Sequence, residues 1–462
     1  MKILYYNWIQ FDNKKNWGGG VNVYQYNLIN ELKNNPSHDI FFLSSGAKYN
    51  PFYSKYYIKK TKNIFSNKCK SFEIINSPIM APALSVFMNP QKFIRDEESY
   101  QIFKNFCTIY GPFDVIHFNN IEGISTNVLK IKEDFPKTKI VISIHNYQPI
   151  CPLVQYFQNH NQKICDDFKN GSECLKCPAF LPYKEYLRKI DYFLTENNVP
   201  RFITKIVKKI FKFKSKYYIG DMTQTKPLDY FYYRKHNIDS INKYADCVLA
   251  VSNRVKEIMV NHGVNNKLIK TSYIGTKFAE FEIGCSNASK TTPFTICYLG
   301  YPRVDKGYFF LLDALSKLPK FIKEKINIVL AVANINESET LKILHGFKKI
   351  TVYNGYKHSE LKNILSEVNL GIVPVLWEDN LPQVAIEMVA CGVPILCSSF
   401  GGASELCTHE KFKFEGGNIS SFTEKLTFFV NNPSELELYW KNHPKLTSMA
   451  EHISELEKIY LQ

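Results

Sequence analysis

The segment WEDNLPQVAIEMVACGVPIL, from Trp377 to Leu396, decides the fold because it joins two predicted strands through a helix. Apolar runs cover Leu370–Val375 before the helix and Val393–Cys397 after it, and short apolar runs of this kind are typical of buried parallel strands. Between them, a helix is predicted over Leu381–Ala390. The segment is therefore one βα unit of a doubly wound sheet.

The start of this helix is predicted to face a ligand. Asn380 is a good N-cap and Pro382 suits the first turn, and the free N–H groups there favour an anion such as a diphosphate. Glu387 lies about one and a half turns further along an otherwise apolar helix. A buried glutamate needs a partner. Glu387 either accepts two vicinal hydroxyls, as on a ribose, or is an ion-paired or capping residue on a solvated face.

The same βα pattern runs along most of the chain. It restarts near residue 293, which predicts two Rossmann-like domains whose parallel sheets face a cleft. In such sheets, ligands lie at the carboxyl ends of the strands. The further runs that we interpret as strands are Ile40–Leu43, Val115–Phe118, Ile140–Ile144, Cys247–Val251, Phe294–Leu299 and Ile326–Val332.

These patterns divide the chain into three parts. An N-terminal domain is predicted over residues 1–284, with a Cys-rich and basic helical insertion at 151–240. A second domain is predicted over 293–432. In the last part, 433–462, an apolar stripe of period three to four predicts a helix that packs back across the domains.

Composition restricts the class of protein. The chain has 462 residues, which favours two domains, and 45% hydrophobic with 22% charged residues is typical of a globular protein. The run Met1–Tyr6 is predicted to be a strand rather than part of a signal peptide. Twelve cysteines fit a reducing compartment, so a cytoplasmic location is expected. The net charge of +15 favours anionic partners, or it reflects a lysine-rich solvated surface.

The spacing of acids in the first segment resembles a known family. Seven residues separate Asp379 from Glu387, whereas Glu378 is one residue too distant. With Ala390–Pro394 after it, this pattern is similar to that of the family 4 glycosyltransferases. The resemblance covers nearly the full length and implies the GT-B fold and a retaining, nucleotide-sugar-dependent reaction.

The resemblance also implies roles for the segment. Asp379 would hold donor-sugar hydroxyls and Glu387 the nucleotide ribose, while Asn380, Leu381 and Pro382 would lie in the donor site. Glu378 would then be a bystander or a supporting residue.

A second motif, LGYPRVDKG (Leu299–Gly307), follows the first strand of the second domain. Arg303 and Lys306 would neutralise the charge of a leaving nucleoside diphosphate, and Gly300 would lie at the donor. Lys306 is in register with the family, whereas Tyr301 stands where the family commonly has Arg. The alternative is a basic surface turn.

Two further motifs lie at strand ends of the first domain. WGGGVNVYQYNLINEL contains Gly18, Gly19 and Gly20, which let backbone approach a ligand closely, and the resemblance implies contact of Gly19 and Gly20 with the donor. In VISIHNYQPICP, His145 would hydrogen-bond a sugar hydroxyl or the diphosphate. His117 is instead predicted to be a satisfied core histidine.

Smaller matches complete the candidate site. Gly355 and Tyr356 fall in the nucleotide-base loop that the resemblance implies, and Glu405 is another family match or a polar residue at a helix end. Asn119 and Asn120 could line the acceptor side.

Four cysteines fall within a short stretch of the insertion. Cys151, Cys165, Cys174 and Cys177 are spaced C-x13-C-x8-C-x2-C. They fit a structural zinc site, but reduced thiols in a loop-rich insertion and redox or iron–sulfur chemistry stay open.

The segment RFITKIVKKIFKFKSK (201–216) has seven basic residues and no acidic one. At helical spacing its apolar residues share one face, which suits an anionic bilayer surface. The alternative is a helix that packs its apolar face on the protein. Nucleic acid is not an expected partner because no recognition module accompanies the charge.

The sequence therefore predicts transfer of a sugar from a UDP- or GDP-sugar to a glycan or lipid-linked acceptor in surface polysaccharide synthesis. Catalysis is expected without a cofactor, since no Asp-x-Asp tripeptide is present. The location would be cytoplasmic or peripheral on the inner face of the membrane. Alternatives are a nucleotide-sugar epimerase, a phosphorylase or a non-catalytic binding protein with the same fold.

Overall fold

The computed structural model describes most of the chain. The ranges are 1–13, 17–65, 68–81, 86–87, 89–177, 189–190, 193–194, 199–200, 202–207, 209, 225–277, 293–441 and 443–462.

Two parallel sheets organise the described residues. The strands in chain order are β1 (Lys2–Tyr6), β2 (Asp39–Ser45), β3 (Tyr57–Thr61), β4 (Lys70–Ile75), β5 (Val115–Phe118), β6 (Lys139–Ile144), β7 (Phe157–Gln158), β8 (Lys163–Ile164), β9 (Cys247–Ala250), β10 (Ile269–Thr271), β11 (Phe294–Gly300), β12 (Ile326–Val332), β13 (Lys349–Tyr353), β14 (Leu370–Val373), β15 (Ile395–Ser398) and β16 (Lys413–Phe414).

Helices cover both faces of each sheet. In chain order they are α1 (Gly19–Leu32), α2 (Pro90–Ile94), α3 (Glu97–Tyr110), α4 (Ile131–Asp134), α5 (Ser172–Leu175), α6 (Pro227–Tyr244), α7 (Asn253–Asn261), α8 (Tyr308–Ser316), α9 (Lys320–Lys323), α10 (Glu337–Ile343), α11 (Leu361–Leu365), α12 (Gln383–Ala390), α13 (Ile419–Asn431), α14 (Leu438–Lys441) and α15 (Met449–Leu461).

The order of strands places the cleft. Within the described residues, the first sheet runs β10-β9-β6-β5-β1-β2-β4-β3 and the second β13-β12-β11-β14-β15-β16. All neighbours pair in parallel except β3, which is antiparallel to β4. The order reverses at β1 and at β11, and a ligand crevice opens outside the carboxyl ends of strands at such points. The predicted pair of Rossmann-like domains is confirmed.

Burial explains why these segments are strands. Val115–Phe118, Leu370–Val373 and Ile395–Ser398 are buried at every residue, so no alternation of polar side chains is visible in the sequence. Such runs belong between two layers of helices. The core is accordingly the two faces of each sheet.

The predicted bounds of the opening unit need two corrections. Strand β14 ends at Val373 rather than Val375, and α12 begins at Gln383 with Pro382 in the N-cap position. Asn380 is thus not the N-cap. The fixed φ of proline suits the entry to a helix, and this leaves the loop before it free to form a wall of the cleft.

The C-terminal helix packs back on the first domain. The hydroxyl of Tyr460 in α15 is 2.6 Å from Nδ1 of His117 and 3.2 Å from the hydroxyl of Tyr5. Lys139 donates to the carbonyl of Ile459 at 2.9 Å. This confirms the predicted crossing helix.

The crossing begins later than predicted. The ring of Tyr439 in α14 lies 5.0 Å from that of Phe412, so residues up to 441 stay on the second domain. The chain has reached the first domain by Ser448, whose backbone pairs with that of Thr276.

Candidate active site

A cavity of about 250 Å³ lies between the two domains, outside the carboxyl ends of their strands. Both domains contribute to its walls. Its described lining residues are Gly20, Val21, Tyr24, His145, Val251 and Ile274 from the first domain and Tyr298–Tyr301, Lys306, Ile372–Val375, Trp377, Asp379, Asn380 and Leu381–Val384 from the second. The strand order and the position of the cavity therefore indicate the same ligand site between the domains.

An ion pair forms the charged part of the wall. Nζ of Lys306 is 2.5 Å from Oδ2 of Asp379, and the same ammonium lies 4.9 Å from the ring centre of Trp377. The carboxylate side is 8% exposed, so the pair is partly shielded from water. The structure thus brings together two residues that are 73 positions apart and were predicted independently.

A glycine turn holds Lys306 at this position. Gly307 has φ of 73°, and a Cβ on it would lie 1.7 Å from the carbonyl oxygen of Pro374. The backbone before α8 therefore packs directly on the loop after β14. Gly300, with φ of 150°, lines the cavity at the start of the same motif.

Asn380 presents a polar group to the cavity. Neither amide atom of its buried side chain has a hydrogen-bond partner among the described residues. Buried amides in proteins are normally paired, so an unpaired one beside a cavity indicates a ligand position. Leu381 and Pro382 continue this wall to the start of α12.

Glu387 lies on the same domain, outside the set of described lining residues. Its carboxylate is 3.2 Å from the hydroxyl of Tyr356 and 3.2 Å from Nδ1 of His358. Burial, and then the charge of Glu387, raise the pKa of Tyr356 well above its ordinary value. Tyr356 follows Gly355, which has φ of 82° and turns the chain after β13. Glu387 and Tyr356, which were both predicted to bind the nucleotide, therefore contact each other.

Glu378 points away from its neighbour Asp379. Its carboxylate, 1% exposed, accepts from Nε of Arg254 at 3.0 Å and from Nη2 at 2.6 Å. It also accepts from the backbone N–H of Gly401 at 2.8 Å. Spacing alone had selected Asp379 as the cavity-side acid, and the structure places the two acids accordingly.

Glu405 is also an interdomain residue. Its carboxylate accepts from the backbone N–H groups of Asn253 and Arg254, at 3.0 and 2.8 Å, and from the hydroxyl of Tyr273 at 2.6 Å. Arg254 was not predicted, because an arginine at the start of a helix has no distinctive neighbours in the sequence.

Arg303 occupies a different position from the one predicted. Its guanidinium pairs with Asp305 at 2.6 and 2.9 Å and is 47% exposed. It is not among the described residues that line the cavity, whereas Tyr301 is. A phosphate contact by Arg303 stays a prediction that requires a change of rotamer.

The glycine triplet approaches the second domain. Gly18 and Gly19 have φ of 93° and 55°, which admits the turn before α1. A Cβ on Gly20 would lie 3.0 Å from Cγ of Gln383, at the start of α12. Gly20 lines the cavity directly; Gly19 borders it in sequence and is outside the described lining set.

His145 supplies the neutral wall. Its ring centre is 4.9 Å from that of Tyr24, and Nε2 has no partner in the part of the chain that is described. Burial, and then His452, lower the pKa of His145 to about 3, so the ring is neutral at physiological pH. The hydroxyl of Tyr24 is in turn 2.7 Å from Nε2 of His452.

The other predicted polar residues of the first domain lie behind this wall. Both ring nitrogens of buried His117 are hydrogen-bonded, to Tyr460 and to Ser143. This confirms the prediction that His117 is a satisfied core histidine. Asn120 donates to the side chain of Asn7, and Asn119 is fully buried. Neither asparagine is among the described lining residues.

The four insertion cysteines are buried beside one another in the first domain. Within the described residues, however, no group of three or more His, Cys, Asp or Glu side chains is placed to hold a metal ion. Arg234 instead donates to the sulfur of Cys174 at 3.1 Å, and burial raises the pKa of Cys174 to about 12 and of Cys177 to about 11.

Zinc binds thiolates and itself lowers the pKa of the thiols that it coordinates, so the raised pKa values of these cysteines do not test the prediction. The zinc hypothesis for Cys151, Cys165, Cys174 and Cys177 therefore stays a prediction without geometric support.

The predicted basic helix at 201–216 lies largely outside the described residues. In the described part, 202–207 are helical, and Phe202 is 65% and Ile206 57% exposed. Of the helices that the structure describes, none has the length and apolar character needed to cross a membrane.

Comparison with known proteins finds a family model that matches part of the chain. Residues 282–446 match the model of the family Glycosyl transferases group 1. Two relatives from Methanocaldococcus jannaschii are similar to this chain. The uncharacterized glycosyltransferase MJ1607 is 26% identical over 192 residues, which are 38% of this chain and 48% of the relative. The uncharacterized glycosyltransferase MJ1069 is 30% identical over 183 residues, 38% of this chain and 46% of the relative.

The chain spans about half the length of these curated relatives. Among solved structures, Alr3699/HepE of Anabaena, captured with UDP and glucose, superposes over 99% of both chains with a TM-score of 0.55 and 14% identity. Likeness at this identity concerns the fold, which is GT-B. The predicted GT-B fold is thus confirmed, and the resemblance to glycosyltransferases is supported by the family match over residues 282–446.

Proposed function

We propose that this chain, whose C-terminal domain belongs to the glycosyl transferases group 1, transfers a sugar from a nucleoside-diphosphate sugar to a glycan or lipid-linked acceptor and retains the anomeric configuration. The observation that carries the proposal is the pair of Lys306 and Asp379 at the interdomain cavity, beside the unpaired amide of Asn380. A cation, a carboxylate and an amide suit a diphosphate and the hydroxyls of a sugar.

Each wall has a proposed task. The ammonium of Lys306 and the start of α12 stabilise the diphosphate as it leaves, because both present positive charge where negative charge develops. Asp379 accepts donor-sugar hydroxyls, and Glu387 with Tyr356 accepts the ribose. His145, being neutral, hydrogen-bonds a sugar hydroxyl without attracting an anion of its own.

The proposed step needs no protein nucleophile. The bond from the anomeric carbon to the diphosphate oxygen breaks, and the electron pair leaves with the diphosphate. The acceptor hydroxyl attacks on the same face, and its proton passes to the departing oxygen. A cavity closed between two domains favours this route, since water is a competing acceptor.

The donor is the first question for experiment. Alr3699/HepE was captured with UDP and glucose, which supports testing UDP-glucose first. We expect a UDP- or GDP-sugar to raise the melting temperature of the wild-type protein, because a bound ligand stabilises the folded state. ADP-sugars complete the panel.

Asp379→Asn separates donor recognition from folding. It should abolish the shift with the nucleotide sugar, whereas Asp313→Asn, which alters the exposed pair with Lys317, should retain it. Transfer is then followed by NMR of the product's anomeric proton. The proposal fails if no nucleotide sugar shifts the wild type, or if the product has inverted configuration.

A membrane-surface role belongs to the same proposal. The exposed apolar side chains Phe202 and Ile206, in a basic segment, would bring a peripheral enzyme to lipid-linked acceptors on the inner face of the membrane. We expect Phe202→Ser with Ile206→Ser to lower sedimentation with phosphatidylglycerol vesicles. Phe321→Ser removes an equally exposed ring from α9 and should not.

A further inference from the structure

The loop before α12 carries two adjacent acids that serve opposite domains. Asp379 faces the cavity and pairs with Lys306, whereas Glu378 is buried against the first domain and pairs with Arg254. The two carboxylates share one peptide unit. A displacement of Glu378 therefore displaces Asp379 as well.

The pair of Glu378 and Arg254 is geometrically specific. Two guanidinium nitrogens, Nε and Nη2, donate to the two carboxylate oxygens at 3.0 and 2.6 Å, and the N–H of Gly401 adds a third bond at 2.8 Å. Bidentate pairing fixes orientation as well as distance. A buried carboxylate that loses its cation is strongly disfavoured, so this pair resists separation of the domains.

A second carboxylate crosses the same interface. Glu405, on the second domain, accepts from two backbone N–H groups at the start of α7 and from the hydroxyl of Tyr273. Between the two acids the domains lie close together: a Cβ on Gly402 would lie 2.3 Å from the carbonyl oxygen of Asn380 in the same domain and 3.1 Å from Oγ of Ser252 in the first domain. Arg254, Glu378 and Glu405 thus form what we call the interdomain clamp.

We propose that Arg254 is a positioning residue: through the interdomain clamp it couples closure of the two domains to the placement of Asp379 in the cavity. Arg254 is outside the set of described lining residues, so it acts through Glu378 rather than on the donor. The role of Asp379 in this proposal rests on the proposed function. The link between Arg254 and domain closure does not.

The central variants are Arg254→Gln and Arg254→Lys. The first removes the guanidinium, and the second keeps the charge but cannot donate two parallel bonds to one carboxylate. Glu257→Gln is the matched control, because Glu257 takes the remaining nitrogen of Arg254 at the exposed end of the pair, at 2.8 Å. We expect transfer to fall about a hundredfold in Arg254→Gln, mainly in kcat, since small misplacement of a catalytic group has effects of that order.

Two readouts separate positioning from a purely structural role. Millimolar methylguanidinium should restore part of the activity of Arg254→Gln, and it should do nothing for a variant that is simply unfolded. Small-angle X-ray scattering should give a larger radius of gyration for Arg254→Gln than for the wild type and Glu257→Gln. The double variant Arg254→Gln/Glu378→Gln should be no more open than either single variant, because both remove the same contact.

The outcomes distinguish the two proposals. If the wild type transfers no sugar, the proposed function fails, and the scattering series still tests the clamp. If Arg254→Gln has the same radius of gyration as the wild type, the clamp is overturned whatever the protein's activity.

Discussion

The two walls of the cavity are built on the same kind of sheet but differ in chemistry. The wall of the second domain carries Lys306, Asp379 and an unpaired amide, within loops fixed by glycines. The wall of the first domain presents Tyr24 and His145, backed by His117 and His452. One wall is charged, and the other is aromatic and neutral.

This difference in charge suits the two walls to different parts of the proposed reaction. Fixed charge suits a diphosphate that gains charge as it leaves. A neutral imidazole and a phenol suit hydroxyl groups, and burial keeps the imidazole neutral. Under the proposed function, this difference in charge would assign the donor to the second of the two similar domains.

The largest expected effect is on the neutral wall in acid. Burial lowers the pKa of His117 and His145 to about 3 and of His452 to about 4, against 6.5 when unfolded. Between these pKa values, the three histidines bind about three more protons in the unfolded chain than in the folded protein. The free energy of unfolding therefore falls as the pH drops below 6.5. The slope near pH 5 should be roughly 4 kcal/mol per pH unit from these three.

Urea unfolding between pH 4.5 and 7 measures this slope. His117→Gln should reduce it by about one third, because one of the three histidines no longer titrates. Exposed His345 provides the control, and His345→Gln should leave the slope unchanged. An equal slope in wild type and His117→Gln would remove this contrast between the walls.

The next effect is on the charged wall. Lys306→Ala should lower sugar transfer by roughly 100- to 1000-fold, because the leaving diphosphate loses its cation and Asp379 loses its partner. Steady-state kinetics measure it. Lys317→Ala, which breaks an exposed pair on the same domain, should be near wild type. A fall of less than threefold would mean that the helix start alone suffices.

A smaller effect is expected at the nucleotide end. Glu387→Gln should weaken binding of the free nucleotide about tenfold, since the charged acceptor for the ribose hydroxyls is neutralised. Calorimetric titration measures the affinity. Glu424→Gln, on the exposed face of α13, is the control. An unchanged affinity with a lowered melting temperature would make Glu387 a structural partner of Tyr356.

The smallest effect concerns α15, the C-terminal helix that lies behind the neutral wall. Tyr460→Phe removes the hydroxyl that contacts His117 and Tyr5, and it should lower the free energy of unfolding by about 1 kcal/mol. Transfer should be retained, because α15 supports the neutral wall from behind. Tyr353→Phe, at a partly exposed position of the second domain, should be silent in chemical denaturation.

Much of the charged wall was predictable. The acid spacing from Asp379 to Glu387 and the position of Lys306 after a strand are local patterns, and the strand order brings them together. Asn380 was predicted as the N-cap because its side chain suits that position, whereas Pro382 is the N-cap and the helix begins at Gln383. Arg303 was predicted at the cavity because the local sequence does not show that its guanidinium pairs with Asp305, two residues on.

The neutral wall was predicted less completely. His145 was found from its strand end, but Tyr24 and His452 were not, since they come from opposite ends of the chain and meet at 2.7 Å through folding. The cysteine spacing predicts a metal site, and it does not report the protein contacts of the sulfurs, such as that of Cys177 with the carbonyl of Phe157 or that of Cys174 with Arg234.

The sequence by itself determined the fold and the charged half of the site. Hydrophobic periodicity and the turn residues at strand ends act over a few positions, so both can be recognised in the sequence without a structure. The tertiary structure decided the partner of the other acid, Glu378, which crosses to Arg254 of the first domain. That partner is set by which cation Glu378 meets across the domain boundary, and a buried carboxylate without a cation is strongly disfavoured.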